Sequence, residues 1–184
     1  NEQGRVLDKT RIPASQTSLQ PVLIAETALR AHIYMRSGTA TALMQSSTED
    51  AGNTWTPTRV TTWPNPDSAL AGVHTLAGDQ WLALNPSARN REMLTLLKMK
   101  AGEPVDRAQS WLVESSVDPS KRVDVPGYEA LLHQELMARG ATPGDADLYV
   151  ASARRQLCGA QTCAQEFSYP YLLQKPDGYL HLIY

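Results

Sequence analysis

The eight residues TEDAGNTW, Thr48–Trp55, constrain the fold of this chain more than any other stretch of its sequence. Asp50 is able to accept hydrogen bonds from the backbone N–H groups that follow it, as in Asx turns. Gly52 can adopt a positive φ without steric cost. The indole of Trp55 can bury a large surface beneath the turn, against the strands that the turn joins. The stretch therefore predicts a β-hairpin whose turn is closed by its own side chains.

Short strands separated by turns dominate the first part of the chain. Apolar or alternating segments recur about every ten residues, which is typical of a meandering antiparallel β protein. The expected strand segments are Gln20–Ala25, His32–Met35, Ala40–Gln45, Arg59–Thr62, Val73–Leu76, Gln80–Leu84 and Leu94–Met99. The pattern returns in Phe167–Tyr184, with a turn at KPDG. The sequence therefore predicts an all-β fold.

Two segments between these β regions have the spacing of helices instead. Tyr128–Arg139 is followed by Gly140, a residue that commonly ends helices, and Asp145–Leu157 follows Pro143, which suits a helix start. Apolar residues recur at helical spacing in the first segment, at Leu131, Leu132, Leu136 and Met137, and lie roughly on one side of the second, at Leu148, Ala151 and Leu157. We therefore predict a two-helix insertion, residues 121–165, and assign residues 1–184 to part of one domain.

Composition and charge narrow the function classes. The chain has 184 residues, a net charge of -2 and a pI of about 6.1, so no basic excess indicates nucleic-acid binding. Its apolar runs are far shorter than the ~20 residues of a membrane-spanning helix. The sequence begins at Asn1 rather than Met, and we expect an upstream segment. No cofactor is expected.

The two cysteines, Cys158 and Cys163, lie in CGAQTC. A structural zinc site takes about four ligands and only His133 is near in sequence, so no metal site is expected. A redox pair usually has two residues between its cysteines, whereas this pair has four. We predict a small disulfide loop, with two buried free thiols as the alternative. A disulfide would indicate a periplasmic or secreted protein.

TEDAGNTW resembles the Asp box, S/T-x-D-x-G-x-T-W, of the BNR-repeat and sialidase-like β-propellers. The matching positions are Thr48, Asp50, Gly52, Thr54 and Trp55. Five further phrases follow the order seen in that family: SLQPVLI, YMRSG, PNPDSAL, LALNPSARNREMLTL and FSYPYLLQKPDGYLHLIY. The resemblance implies that the Asp box is a structural turn at the outer edge of a blade. Catalysis by Asp50 is therefore not expected.

The same resemblance implies a propeller of about six blades with four strands each. This chain supplies about three blades, so we predict that it forms part of a propeller. A second polypeptide, or the remainder of the same protein, would complete it, because an open half-propeller leaves strand edges unpaired. A second Asp box expected near KMKAGEPVDRAQSW is reduced to Gly102 and Trp111.

Arginines are the first candidates for a binding site. The resemblance implies a pocket in which arginines hold the carboxylate of a terminal sialic acid, and a guanidinium suits that role. Arg36 in YMRSG and Arg91 in NREML are the predicted binding residues, with ordinary exposed or salt-bridged arginines as the alternative. Arg89 competes with Arg91. Arg11 in TRIP resembles a RIP motif but precedes a phrase that belongs to a later blade.

Polar residues near the turns are the next candidates. Asn65 and Asp67 in PNPDS and Asn85 in LALNPS are predicted to line a glycan-binding pocket. The alternative is that PNPDS is simply a turn, since Pro, Asn and Asp favour turns. His74 and His181 lie in expected strands, where packed or surface roles are commoner than catalysis.

The FSYP phrase bears on catalysis. The resemblance implies a tyrosine nucleophile helped by a glutamate, with an aspartate as acid/base, and the aligned position here is Phe167, which has no hydroxyl. Tyr169 lies two residues on, hence on the same face of a strand, and is the predicted catalytic residue. Glu166, a possible helper, would point to the other face. The predicted function is a sialidase-like glycoside hydrolase; the alternative is a non-catalytic propeller that binds glycan or protein.

Overall fold

A computed structural model describes Val6, residues 9–118, Ser120 and residues 122–184. The strands in these residues are β1 (Ser18–Ala25), β2 (Ala31–Ser37), β3 (Ala42–Thr48), β4 (Arg59–Pro64), β5 (Ala71–His74), β6 (Asp79–Leu84), β7 (Met93–Lys100), β8 (Gln109–Ser115), β9 (Val123–Asp124), β10 (Thr162–Cys163), β11 (Tyr171–Gln174) and β12 (Leu180–Ile183). The helices are α1 (Val125–Ala138) and α2 (Pro143–Leu157), and a 3-10 turn covers Val105–Arg107.

The strands form a series of antiparallel meanders. One four-stranded sheet has the order β1-β2-β3-β4, and a second has the order β5-β6-β7-β8. The strands β11 and β12 form a two-stranded hairpin, and β9 pairs with β10. The prediction of an all-β propeller fold with two helices is confirmed. The predicted three blades correspond to two complete four-stranded blades and a hairpin of a third.

The core lies between the two complete blades. Its buried residues come from both sheets: Ile24, Tyr34, Leu43, Leu70, Leu82, Leu84, Leu97, Met99 and Val105. Tyr34 is only 1% exposed, and burial raises the pKa of its hydroxyl above the ordinary value. At Gly72 the sheets come so close that a Cβ atom would lie 2.8 Å from the side chains of Ile24 and Leu82. The packing of one blade on the other therefore sets the distance between the two sheets.

The connection between β7 and β8 binds the neighbouring blade. Asp106 accepts hydrogen bonds from Thr62 N at 2.7 Å, Thr62 Oγ1 at 3.0 Å and Arg59 Nη1 at 2.8 Å. The indole N–H of Trp63 donates to Val105 O at 2.8 Å. This connection contains the segment in which a second Asp box is reduced to isolated residues. Here it serves as a polar contact between blades.

The helices follow β8 and precede β11. Helix α1 begins at Val125, three residues before the predicted start, because Asp124 caps it by accepting from Gly127 N at 2.8 Å. Leu148 and Ala151 of α2 are exposed, whereas Ala146 is fully buried. The predicted start of the insertion, residue 121, lies outside the described residues, and the insertion as a unit stays a prediction.

The two cysteines form a disulfide, as predicted. Cys158 directly follows α2, and Cys163 ends β10. Ala164 N also donates to Leu157 O at 2.8 Å. The disulfide therefore fastens the end of α2 to the segment that leads back to the β hairpin.

We expect Asp106→Ala to reduce the free energy of unfolding by about 2 kcal/mol, because hydrogen bonds to a charged group are lost. Burial opposes ionisation of Asp106, but the hydrogen bonds from Thr62 and Arg59 outweigh it and hold its pKa below the ordinary value. Its stabilisation is therefore complete above the pKa of the unfolded state and disappears as the pH falls through the folded-state pKa. Urea unfolding at several pH values measures both effects. Equal stability of Asp106→Ala and the exposed control Glu135→Ala would contradict the prediction.

Removing the disulfide with Cys158→Ser and Cys163→Ser should cost about 2 kcal/mol of stability, since the closed loop is short and its entropy in the unfolded chain is modest. Thermal unfolding measures this loss. Reduction should raise the intact mass by about two hydrogen masses, since one disulfide becomes two thiols. An unchanged mass after full reduction of the unfolded chain would exclude the bond.

Candidate functional site

The predicted site residues gather at one edge of the blades. Because neighbouring strands run antiparallel, β2, β4, β6 and β8 end at the edge where β3, β5 and β7 begin. Arg36, Asp67, Asn85, Arg91 and Tyr169 lie at this edge, which we call the arginine edge. The turn between β3 and β4 lies at the opposite edge. The Asp-box turn and the candidate binding residues therefore lie at opposite ends of the strands.

The Asp box is closed by its own side chains. Asp50 Oδ1 accepts from Thr48 Oγ1 at 2.8 Å and Thr54 N at 2.9 Å, and Oδ2 accepts from Thr54 Oγ1 at 2.6 Å. Gly52 has a φ of +89°, and its carbonyl accepts from Trp55 Nε1 at 3.1 Å. Hydrogen bonds, led by that from the Thr54 hydroxyl, lower the pKa of Asp50. Both of its oxygens are thus engaged within the turn.

Arg36, near the end of β2, is held by the loop between β4 and β5. Its Nη1 donates to Asp67 O at 2.7 Å, and its Nε lies 3.4 Å from Asp67 Oδ1. The side chain of Arg36 is 18% exposed, and that of Asp67 is 46% exposed. Asp67 has a φ of +55°. The guanidinium is therefore fixed in position, with a small part of its surface open to solvent.

Asn65 and Asn85 form a buried polar link at the same edge. Both side chains are fully buried. Asn65 exchanges hydrogen bonds with the backbone of Ser68, and Ser68 Oγ donates to Asn85 Oδ1 at 2.6 Å. Asn85 Nδ2 donates to Met93 O at 2.7 Å and Phe167 O at 2.8 Å. This burial favours the structural alternative for the two asparagines over direct contact with a ligand.

Arg91, Glu166 and Tyr169 form the second arginine cluster. The guanidinium of Arg91 lies 5.7 Å from the centre of the Tyr169 ring, within the range of a cation–π contact. Its Nη1 is 3.9 Å from Glu166 Oε2. The Arg91 side chain is 26% exposed, and Tyr169 is 62% exposed. The cluster thus presents a cation, an aromatic hydroxyl and a carboxylate together.

Phe167 and Tyr169 do not share the face of a strand, so that prediction is wrong. Both precede β11, which begins at Tyr171. Tyr169 has a φ of +55°, which breaks the alternation of side chains along an extended chain. Phe167 instead packs edge-on against Tyr184, with ring centres 5.9 Å apart. The backbone turn, rather than strand alternation, brings Tyr169 to Arg91.

Four weaker candidates lie outside the cluster of Arg91, Glu166 and Tyr169. Arg89 is exposed in the loop between β6 and β7. Arg11 lines a separate depression with Ile12, Ser18 and Met35. His74 ends β5 at the edge opposite the arginines, and His181 is exposed in β12. Within the described part of the chain, no hydrogen bond, ion pair or ring contact joins any of these four residues to Arg91.

A metal site and a membrane-spanning helix each place requirements on the described residues. Within them, no three His, Cys, Asp or Glu side chains are grouped as metal ligands. Neither described helix has the length and apolar character needed to cross a membrane. The chemistry that the arginine edge offers is recognition of an anion by guanidinium groups beside a phenol.

Sequence reasoning missed the buried carboxylate Glu26. It lies 1% exposed between the blades, accepting from Gly102 N at 2.9 Å and from the Gln80 side chain. Arg30 and His32 each approach it within 3.4 Å. Nothing in VLIAETALR marks this glutamate, because its hydrogen-bond donors Gln80 and Gly102 come from distant positions. It holds the loop after β1 against the second blade.

Two four-stranded antiparallel blades packed on each other, with an Asp-box turn at one edge and arginines at the other, define the sialidase type of β-propeller fold. The BNR repeat-like domain matches residues 1–182, and the chain belongs to this family. No curated protein matches the sequence significantly.

Solved sialidases have the same fold. The NanB sialidase from Streptococcus pneumoniae, in complex with 2-[(3-chlorobenzyl)ammonio]ethanesulfonate, aligns with a TM-score of 0.53 at 9% identity, over 94% of this chain and 21% of that chain. A mutant of that sialidase aligns with a TM-score of 0.50 at 7% identity, over 88% of this chain and 19% of that chain. The chain therefore spans about a fifth of these sialidase chains.

We expect Asp50→Ala to lower the midpoint of thermal unfolding, because the hydrogen bonds that close the Asp box are lost. The pKa of Asp50 is lowered in the folded state, so its contribution is complete above the unfolded-state pKa and is lost as the pH falls through the folded-state pKa. Thermal scans at several pH values measure this, with the hairpin residue Asp177→Ala as the matched control. A larger shift for Asp177→Ala would contradict the assignment.

Proposed function

We propose that this chain supplies part of the pocket of a sialidase-type glycoside hydrolase that acts on terminal acidic sugars of glycans. The observation that carries the proposal is the cluster of Arg91, Glu166 and Tyr169 at the arginine edge. Membership of the BNR repeat-like family and the sialidase fold support it.

The arginines account for recognition of an acidic sugar. A guanidinium presents N–H groups in a planar fork that matches a carboxylate, and it stays charged at every physiological pH. Arg91 remains partly open to solvent while Tyr169 and Glu166 hold its orientation. Arg36 is fixed by Asp67 in the same way. Two oriented cations at one edge favour an anionic ligand.

Tyr169 is the candidate nucleophile. Its phenolic oxygen would attack the anomeric carbon as the bond to the leaving oxygen breaks, and an acid supplied by the rest of the pocket would protonate that oxygen. Water, deprotonated by the same group, would then hydrolyse the resulting glycosyl–tyrosine bond. Glu166 would assist by accepting the phenolic proton. Sialidases with a tyrosine nucleophile depart from the usual scheme of two carboxylates. The positive φ of Tyr169 fits a residue held for function at an energetic cost.

A second candidate function is glycan binding without hydrolysis. The observation that favours it is Phe167, which lacks a hydroxyl and packs on Tyr184 at the position where the family resemblance implies the nucleophile. In that case Arg91 and Tyr169 would bind a sugar without attacking it. This second candidate also includes binding of a protein instead of a glycan.

We also propose that further blades complete the propeller, either in the remainder of the protein or in a second polypeptide. Leu19 and Leu23 of β1, at 45% and 60% exposure, would pack on such a blade. The intact mass of the native protein, with and without reductant, tests this proposal. The disulfide further supports a periplasmic or secreted location, since such bonds persist in oxidising compartments.

We expect the intact protein to release sialic acid from a fluorogenic sialoside. Tyr169→Phe should lower kcat/KM by about a hundredfold or more, because the nucleophile is removed. Arg36→Ala and Arg91→Ala should act mainly by weakening binding of the carboxylate. The matched control is Arg155→Ala, which removes an exposed arginine on α2.

Activity that survives Tyr169→Phe and both arginine substitutions would overturn the site assignment. Absence of hydrolysis on any sialoside, together with glycan binding that Arg91→Ala abolishes, would establish the non-catalytic candidate instead. Circular dichroism of each variant checks that its fold is retained.

A further inference from the structure

A cleft lies between helix α2 and the segment that precedes β11. Its volume is about 340 Å³, at the lower end of the range for small-ligand pockets. It is lined by Tyr149, Ser152, Ala153, Gln156, Leu157, Glu166, Ser168 and Tyr184. Five of these residues come from α2 and recur at the spacing of one helical face. The helix thus turns a mixed aromatic and polar stripe toward the β hairpin.

The wall opposite α2 is fixed by hydrogen bonds. Ser116 Oγ donates to Gln165 O at 3.0 Å, and Phe167 N donates to Arg91 O at 3.0 Å. The Tyr184 hydroxyl donates to Glu114 Oε1 at 2.7 Å, and this hydrogen bond raises the pKa of Tyr184. This wall of the cleft is therefore held in place before any ligand binds, which lowers the entropic cost of binding.

The helix side is fixed by the disulfide. Cys158 follows the last residue of α2, and its bond to Cys163 holds the helix end beside the segment that leads to the opposite wall. The hydrogen bond from Ala164 N to Leu157 O adds a second attachment. The disulfide thus keeps the width of the cleft.

The chemistry of the lining favours a neutral polyhydroxylated ligand. Among the lining residues only Glu166 is charged, and its carboxylate lies near Arg91. The Tyr149 ring is 58% exposed and offers an apolar face, while the Gln156 amide donates to Ser152 Oγ at 3.1 Å. Ser168 Oγ is buried and has no hydrogen-bond partner within the described residues. A sugar supplies both an apolar face for the ring and hydroxyls for these groups.

We propose that this cleft binds the neutral sugar next to the terminal acidic sugar of the substrate, so that α2 acts as a specificity element. Glu166 connects the two places, since it lines the cleft and approaches Arg91. This inference rests on the proposed function for the choice of substrate. The binding of a neutral sugar to the cleft is independent of hydrolysis.

Lactose is the probe for the cleft, and ligand-observed NMR on the intact protein measures its binding. Tyr149→Ala should weaken lactose binding on the order of threefold to tenfold, the range expected for loss of one aromatic contact. Tyr149→Phe keeps the ring and should retain most of the affinity. The controls are Leu148→Ala, an exposed neighbour on α2, and Tyr179→Ala, an exposed tyrosine in the turn between β11 and β12.

Lactose that does not bind the intact protein, or that binds the Tyr149→Ala and Tyr179→Ala variants equally well, would overturn the inference. A second measurement compares kcat/KM for sialyllactose with that for a fluorogenic sialoside that lacks the neutral sugar. Tyr149→Ala should lower the first value relative to the second. If no sialoside is hydrolysed, the hydrolase proposal fails. The lactose measurement still shows whether the cleft binds a neutral sugar.

Discussion

The packing of one blade on the next is the constraint on which the rest of this structure depends. Ile24, Tyr34 and Leu43 of the first sheet meet Leu82 and Met99 of the second, and burying each such side chain contributes about 1.5–3 kcal/mol. The polar contacts of Glu26 and Asp106 then fix the angle between the blades at their edges. These hydrogen bonds require particular atoms to lie at particular distances, whereas the apolar core requires only that its volume is filled.

That packing brings the loops of different blades together at the arginine edge. Arg36 belongs to the first blade, Asp67 to the loop between blades, and Arg91 to the second blade. The buried link from Asn65 through Ser68 to Asn85 ends on the carbonyl of Phe167, so the segment carrying Tyr169 is positioned by both blades. Residues predicted as ligand contacts thus divide into two kinds, exposed groups that can meet a ligand and buried amides that hold the loops.

The helices give this propeller a feature beyond its blades. They follow the second sheet and return, through the disulfide, to the segment before β11. In that position α2 lines a cleft together with Glu166, whose carboxylate approaches Arg91. Helices added to a propeller can change which ligand is bound without changing the propeller itself, because function resides in sites carried by folds. The cleft beside α2 has the location and chemistry for such a change.

The sequence by itself determined the Asp-box turn, most strand positions, the two helices and the pairing of the cysteines, because each depends on residues close in the chain. It did not indicate β8, whose residues are largely exposed and carry a weak alternation. It misplaced Tyr169 on a strand, since the positive φ of that residue follows from packing. It could not separate the partly exposed Arg91 from the buried Asn85, nor find Glu26, because burial and partners at long sequence distance exist only after the blades have packed.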